Sequence, residues 1–89
     1  MLEQEILICN KLGLHARAAA KFVATASEFS AQVEVEKDGK RVNGKSIMGV
    51  MMLAASKGTT ITLYVDGDDA DKAVEKLCAL VRDRFGEEE

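Results

Sequence analysis

The chain predicts an α+β fold, an antiparallel sheet with helices packed on one of its faces. Two observations carry this. Segments 32–37 and 60–65 alternate between apolar and polar residues, which marks strands with one face on a core and one in water. Three other segments repeat apolar residues at the three-and-four spacing of an amphipathic helix. Strands and helices are interleaved along 89 residues, enough for one domain, 1–89, and no more.

The first strand is read over Glu5 to Cys9, an apolar run. The first helix is read over Ala16 to Phe29, where Ala19, Phe22, Val23, Ala26 and Phe29 make a stripe opposite Arg17, Lys21, Thr25 and Glu28. In the second strand, Gln32 to Lys37, Val33 and Val35 alternate with Gln32, Glu34 and Glu36. Asp38-Gly39 is a hairpin signal, so Lys40 to Asn43 should pair back as a third strand. A short helix from Ile47 to Ala55 follows, with Ser46 as its N-cap and Lys57-Gly58 as its stop. The fourth strand is Thr60 to Val65, with Ile61, Leu63 and Val65 facing inward. A last helix runs from Ala70 to Phe85 with a stripe of Ala70, Ala73, Val74, Leu77, Leu80, Val81 and Phe85. Asp68, Asp69 and Asp71 at its start and Arg82 and Arg84 at its end suit the helix dipole. The order β-α-β-β-α-β-α gives two layers, helices on one face of the sheet. Pattern alone leaves the strand order open, and a ferredoxin-like arrangement fits the first six elements equally well.

Composition narrows the function. Net charge is −3, with Glu87, Glu88 and Glu89 closing the chain, which speaks against holding nucleic acid by its phosphates. Tryptophan is absent and aromatics are few, so stacking platforms are not expected. No apolar run approaches the roughly 18 residues of a membrane helix, and the N-terminus does not read as a secretion signal. A cytoplasmic protein with Cys9 and Cys78 as free thiols follows. One histidine and two distant cysteines are too few for a metal site. Gly44-Lys45-Ser46 matches only the end of a phosphate-binding loop, and Cys9, in a predicted strand without a histidine beside it, is a poor nucleophile.

His15 is the sole histidine, between a Gly-Leu turn and the first helix. The first amides of a helix lack internal partners and, with the dipole, form an anion site. A phosphoryl group carried on the ring would meet those donors at once. Arg17, two residues on, can add a charge-assisted hydrogen bond. The helix end also disfavours a charged ring, leaving the neutral nitrogen that a nucleophile needs. The plain alternative is an ordinary capping histidine. Against it stand Gly13 freeing the turn, Arg17 nearby, and Ala16, Ala20 and Ala24 on one stripe, a flat approach for a partner. Helix propensity alone would also explain those alanines. Ser46 is first of all a cap, though a phosphate there would be tolerated. Ile47, Met48 and Met51 cannot all face the core if Val50 and Leu53 do, and suit an adaptable contact patch.

At Gly13 to Arg17 (Gly-Leu-His-Ala-Arg), Gly44 to Met48 (Gly-Lys-Ser-Ile-Met) and Ala55 to Thr59 (Ala-Ser-Lys-Gly-Thr), the chain resembles HPr. This is the histidine-containing phosphocarrier family of the bacterial phosphoenolpyruvate-dependent phosphotransferase system. The resemblance spans essentially the whole chain. It implies an open-faced β-sandwich with strand order 1-4-2-3. It implies that enzyme I phosphorylates His15 on Nδ1, with Arg17 stabilising the phosphate, and that an enzyme IIA domain receives the group. It implies a stoichiometric carrier, monomeric and without a cofactor, and makes Ser46 the position where an HPr kinase/phosphorylase acts in some members. One departure stands out: Ala18 replaces the proline usual after the arginine, so the helix start is less fixed. His15 to Phe22 is similar to proteobacterial members, including those of the nitrogen-related branch, so sugar uptake and regulation both fit. The competing reading is a regulatory interaction module acting through the Ser46 helix without His15. Retention of His15 and Arg17 favours the carrier.

Overall fold

Alternating strands and amphipathic helices can bury their apolar faces only against one another, and they do so here in two layers. The computed structural model describes residues 1–88; Glu89, the last residue of the acidic tail, lies outside them. The elements are β1 (Leu2–Leu7), α1 (Ala16–Ala26), β2 (Gln32–Lys37), β3 (Lys40–Asn43), α2 (Ile47–Met52), β4 (Thr60–Asp66) and α3 (Ala70–Arg82), followed by a left-handed turn at Arg84–Gly86. The sheet is antiparallel throughout, in the order β1-β4-β2-β3, which settles the strand order against the ferredoxin-like alternative. Its register sets Ile6 opposite Ile61, Val35 opposite Leu63 and Val33 opposite Val65. All six are buried, with Phe22, Val50, Leu77, Val81 and Phe85 of the helical layer packed among them. Each such side chain contributes roughly 1.5–3 kcal/mol by leaving water. The open face is polar: Arg41 lies 3.7 Å over the Tyr64 ring and pairs with Glu34 and Glu36.

Several ends differ from expectation. β1 spans Leu2–Leu7, so Cys9 lies beyond the strand. There the Ile8 amide donates to the Thr59 carbonyl at 2.9 Å and the Gly58 amide to the Ile8 carbonyl at 2.8 Å, as the chain leaves the sheet. α1 stops at Ala26, and the next amides tighten, Glu28 donating to Thr25 and Phe29 to Ala26. α2 stops at Met52, and Ala54 takes a left-handed φ of 51°. α3 stops at Arg82 because Arg84 and Phe85 turn left-handed, at φ 54° and 56°. Each such residue costs roughly 1–2 kcal/mol. Burial of Phe85, 1% exposed, offsets it, and the turn brings the tail back across the start of α1.

Candidate functional site

The approach to α1 is fixed by backbone packing. Gly13 has φ +67°, and a Cβ on it would stand 2.4 Å from the Ala55 carbonyl oxygen, so only glycine fits. The Leu14 amide donates to that same carbonyl at 2.8 Å. Asn10, fully buried, donates through Nδ2 to the Gly13 carbonyl at 2.8 Å. The loop before His15 is thus clamped to the segment after α2, which joins two of the motifs seen in the sequence.

His15 is the N-cap of α1, with extended backbone at φ −73°, ψ 177°. Its carbonyl accepts the first helical bond, from the Ala19 amide at 2.8 Å. Its Nδ1 accepts from the Arg17 amide at 3.3 Å. Arg17 itself is exposed, in the first turn. The other ring nitrogen, Nε2, stands 2.5 Å from Oε2 of Glu87, while Oε1 of Glu87 accepts from Asn10 Nδ2 at 3.0 Å. The side chains of His15 and Glu87 are 27% and 15% exposed, so the ring can be reached while the carboxylate behind it is largely covered. Burial works to raise the Glu87 carboxyl. The hydrogen bonds from Asn10 and His15 and the charges of His15 and Arg17 oppose it and hold the group below the usual carboxylate range. Lys11, Leu12, Gly86 and Glu88 complete an open depression around His15, Arg17 and Glu87.

Sequence reasoning missed Glu87, reading it only as part of a solvated acidic tail. It also missed Leu12, 65% exposed beside the site. Ser46 is the N-cap of α2, its Oγ accepting from the Gly49 amide at 3.1 Å. It does not line the His15 depression. Val50 and Leu53 are buried, whereas Ile47, Met48, Met51 and Met52 are exposed at 44%, 71%, 39% and 60%. Ala16, Ala20 and Ala24 are also exposed. Among the described residues no helix is long and apolar enough to cross a membrane, and no group of three or more His, Cys, Asp or Glu is placed to hold a metal ion.

Comparison with known proteins addresses identity. A family model described as the PTS HPr component phosphorylation site matches residues 2–83. Phosphocarrier protein HPr of Neisseria meningitidis serogroup A is 58% identical over 89 residues, covering 100% of both chains. Phosphocarrier protein NPr of Shewanella violacea is 48% identical over 97% of this chain and 94% of its own. The crystal structure of HPr-C-His from Thermoanaerobacter tengcongensis superposes with a TM-score of 0.96 at 54% identity, covering 100% of each chain. The chain therefore belongs to the HPr family and is a phosphocarrier of the phosphotransferase system.

Proposed function

We propose that the chain accepts one phosphoryl group from phospho-enzyme I on Nδ1 of His15 and passes it to an enzyme IIA domain. The observation that carries this is the placement of Nδ1 against the first amides of α1. A phosphoryl group there meets backbone donors and the positive end of the helix dipole, with the Arg17 guanidinium within reach of the same turn. The chain acts as a stoichiometric monomeric carrier in the cytoplasm, and needs no cofactor because donor and acceptor are proteins. Incubation with phosphoenolpyruvate and enzyme I, followed by intact mass, tests it. One acid-labile, base-stable phosphoryl group is expected, absent in His15→Ala. A serine-linked product would overturn the assignment.

The exposed side chains of Ile47, Met48 and Met51, with Ala16, Ala20 and Ala24 of α1, favour these two helices as the partner surface. The same patch supports the second reading, regulation through the Ser46 helix. An HPr kinase/phosphorylase acting at Ser46 would place charge at the edge of that surface.

A further inference from the structure

The two ring nitrogens of His15 face opposite chemistry. An amide N–H can only donate, so the Arg17 amide favours a lone pair on Nδ1, but at 3.3 Å this contact is too long to fix the tautomer alone. The ring proton belongs on Nε2, where a carboxylate oxygen of Glu87 stands 2.5 Å beyond it. Glu87 is itself oriented, its second oxygen held by buried Asn10, whose Nδ2 also binds the Gly13 carbonyl. The backbone that carries Glu87 is pinned by buried Phe85, whose carbonyl accepts from Lys21 of α1 at 2.7 Å.

We propose that Glu87 is a positioning residue for phosphoryl transfer, holding the His15 proton on Nε2 so that Nδ1 is the nucleophile and the phosphorylated ring stays ready to donate. This rests on His15 being the acceptor. When the group arrives, a bond forms between Nδ1 and phosphorus. The bond from phosphorus to the donor atom breaks, and its electron pair leaves with the donor. Nε2 keeps its proton, so the ring takes up positive charge, which the Glu87 carboxylate faces. When the group departs, the Nδ1–phosphorus bond breaks, its electron pair returns to Nδ1, and the ring is left neutral without a proton having to move. A phosphorylated ring that had lost the Nε2 proton would have to leave as an anion, a far poorer leaving group. Among the described residues, the charged groups around the ring are Glu87 and Glu88 from the tail, Arg17 from α1 and Lys11 from the preceding loop. Of the two carboxylates, Glu87 is the one bonded to the ring.

Because His15 is the sole histidine, its imidazole nitrogens give unambiguous ¹⁵N resonances in the full-length, unphosphorylated protein. Wild type should show the Nε2–H tautomer. Glu87→Ala should show a mixture of tautomers and transfer phosphoryl groups roughly ten- to a hundredfold more slowly, the expected effect of losing a charge-assisted hydrogen bond. Glu87→Gln, whose amide oxygen can still accept, should restore the tautomer but only part of the rate. Thermal unfolding of each variant shows that the comparison is between folded proteins. A Glu87→Ala protein with the wild-type tautomer, or with the wild-type rate, would overturn the proposal. So would a Glu87→Gln protein no better than Glu87→Ala. Failure of wild type to take up any phosphoryl group would instead sink His15 as the acceptor, and the tautomer spectra would still report whether Glu87 sets the ring.

Discussion

At the residue scale, His15 owes its setting to both near and distant parts of the chain. Its near neighbours could be read in sequence: Gly13 for a turn with positive φ, Arg17 for a cation in the first turn. Glu87 could not, because it lies 72 positions away and stands in a run of glutamates that reads as solvated charge. In the proposed carrier, Arg17 would be the second group on the phosphate. Arg17→Ala should leave the fold intact and slow transfer by one to two orders of magnitude. Losing one charge-assisted hydrogen bond costs about 1.5–3 kcal/mol. Rapid-quench kinetics with phosphorylated enzyme I would measure this, and a wild-type rate would mean that the backbone amides suffice. Ala18 allows a sharper statement. The first helical bond comes from the Ala19 amide, so the amide of residue 18 lies ahead of the ladder and its loss costs no helical bond. Ala18→Pro should therefore raise stability by about 0.4–1 kcal/mol through the unfolded chain without loss of phosphorylation. Urea unfolding checks the first part and intact mass the second. A destabilised Ala18→Pro protein would show that this turn does not accept proline's fixed φ.

At the element scale, the pattern gave the right faces and the starts of all three helices, but not where the helices stop. The inward residues of all three helices and of β2 and β4 follow from spacing of 3.6 or 2. Where each helix stops does not, because the segments that follow the helices are held by partners elsewhere in the chain. Past α1 the Phe29 carbonyl accepts from Lys45 at 2.8 Å, and past α2 those of Leu53 and Ala54 accept from Lys37 at 3.1 and 3.2 Å. After α3, Lys21 takes the carbonyl of Phe85. Lysines at these ends also suit the dipole. The start of α2 was legible because Ser46 caps it locally. That cap makes a regulatory substitution easy to judge. Aspartate caps a helix about as well as serine, so Ser46→Asp should leave α2 standing and stability within about 0.5 kcal/mol. It should weaken docking, since a partner covering Ile47 and Met48 would bury a charge beside an apolar contact. The Michaelis constant for the carrier should rise more than turnover falls, with calorimetric affinity for enzyme I dropping in parallel. Unchanged affinity with slow transfer would route the effect through His15 instead. No change in either would leave Ser46 as a cap alone.

At the scale of the whole molecule, the two layers are tied together at opposite ends by close backbone contacts that no local pattern records. Near the site, Gly13 abuts Ala55. At the far end, Gly67 abuts Ala31, where a Cβ on residue 67 would meet the Ala31 Cα at 2.6 Å. Asp69 completes the second tie. It occupies the cap position of α3 but makes no side-chain bond to its own helix. Instead its two oxygens accept from the Ser30 and Ala31 amides, each at 2.9 Å, joining the start of α3 to the entry of β2. From sequence, Asp69 was only one of three acids suited to a helix dipole; its role depends on which loop the fold brings opposite. The amide of Ser30 is the main cause lowering the Asp69 carboxyl; burial pushes it up by less, and the amide of Ala31 lowers it further. A carboxyl lowered in the folded state binds protons less readily than in the unfolded chain, so it stabilises the fold at pH above its unfolded value of about 3.9. That contribution is lost as pH falls through the lowered folded value. Asp69→Asn keeps the shape and one acceptor but removes the charge. Urea unfolding of both proteins from pH 7 to pH 2 should show wild type more stable by a constant margin down to about pH 4, with the margin shrinking below. A margin that does not shrink at all between about pH 4 and about pH 2 would mean that the loss comes from geometry rather than from the charge. No margin at neutral pH would mean that the far end of the molecule is held by the Gly67–Ala31 packing alone.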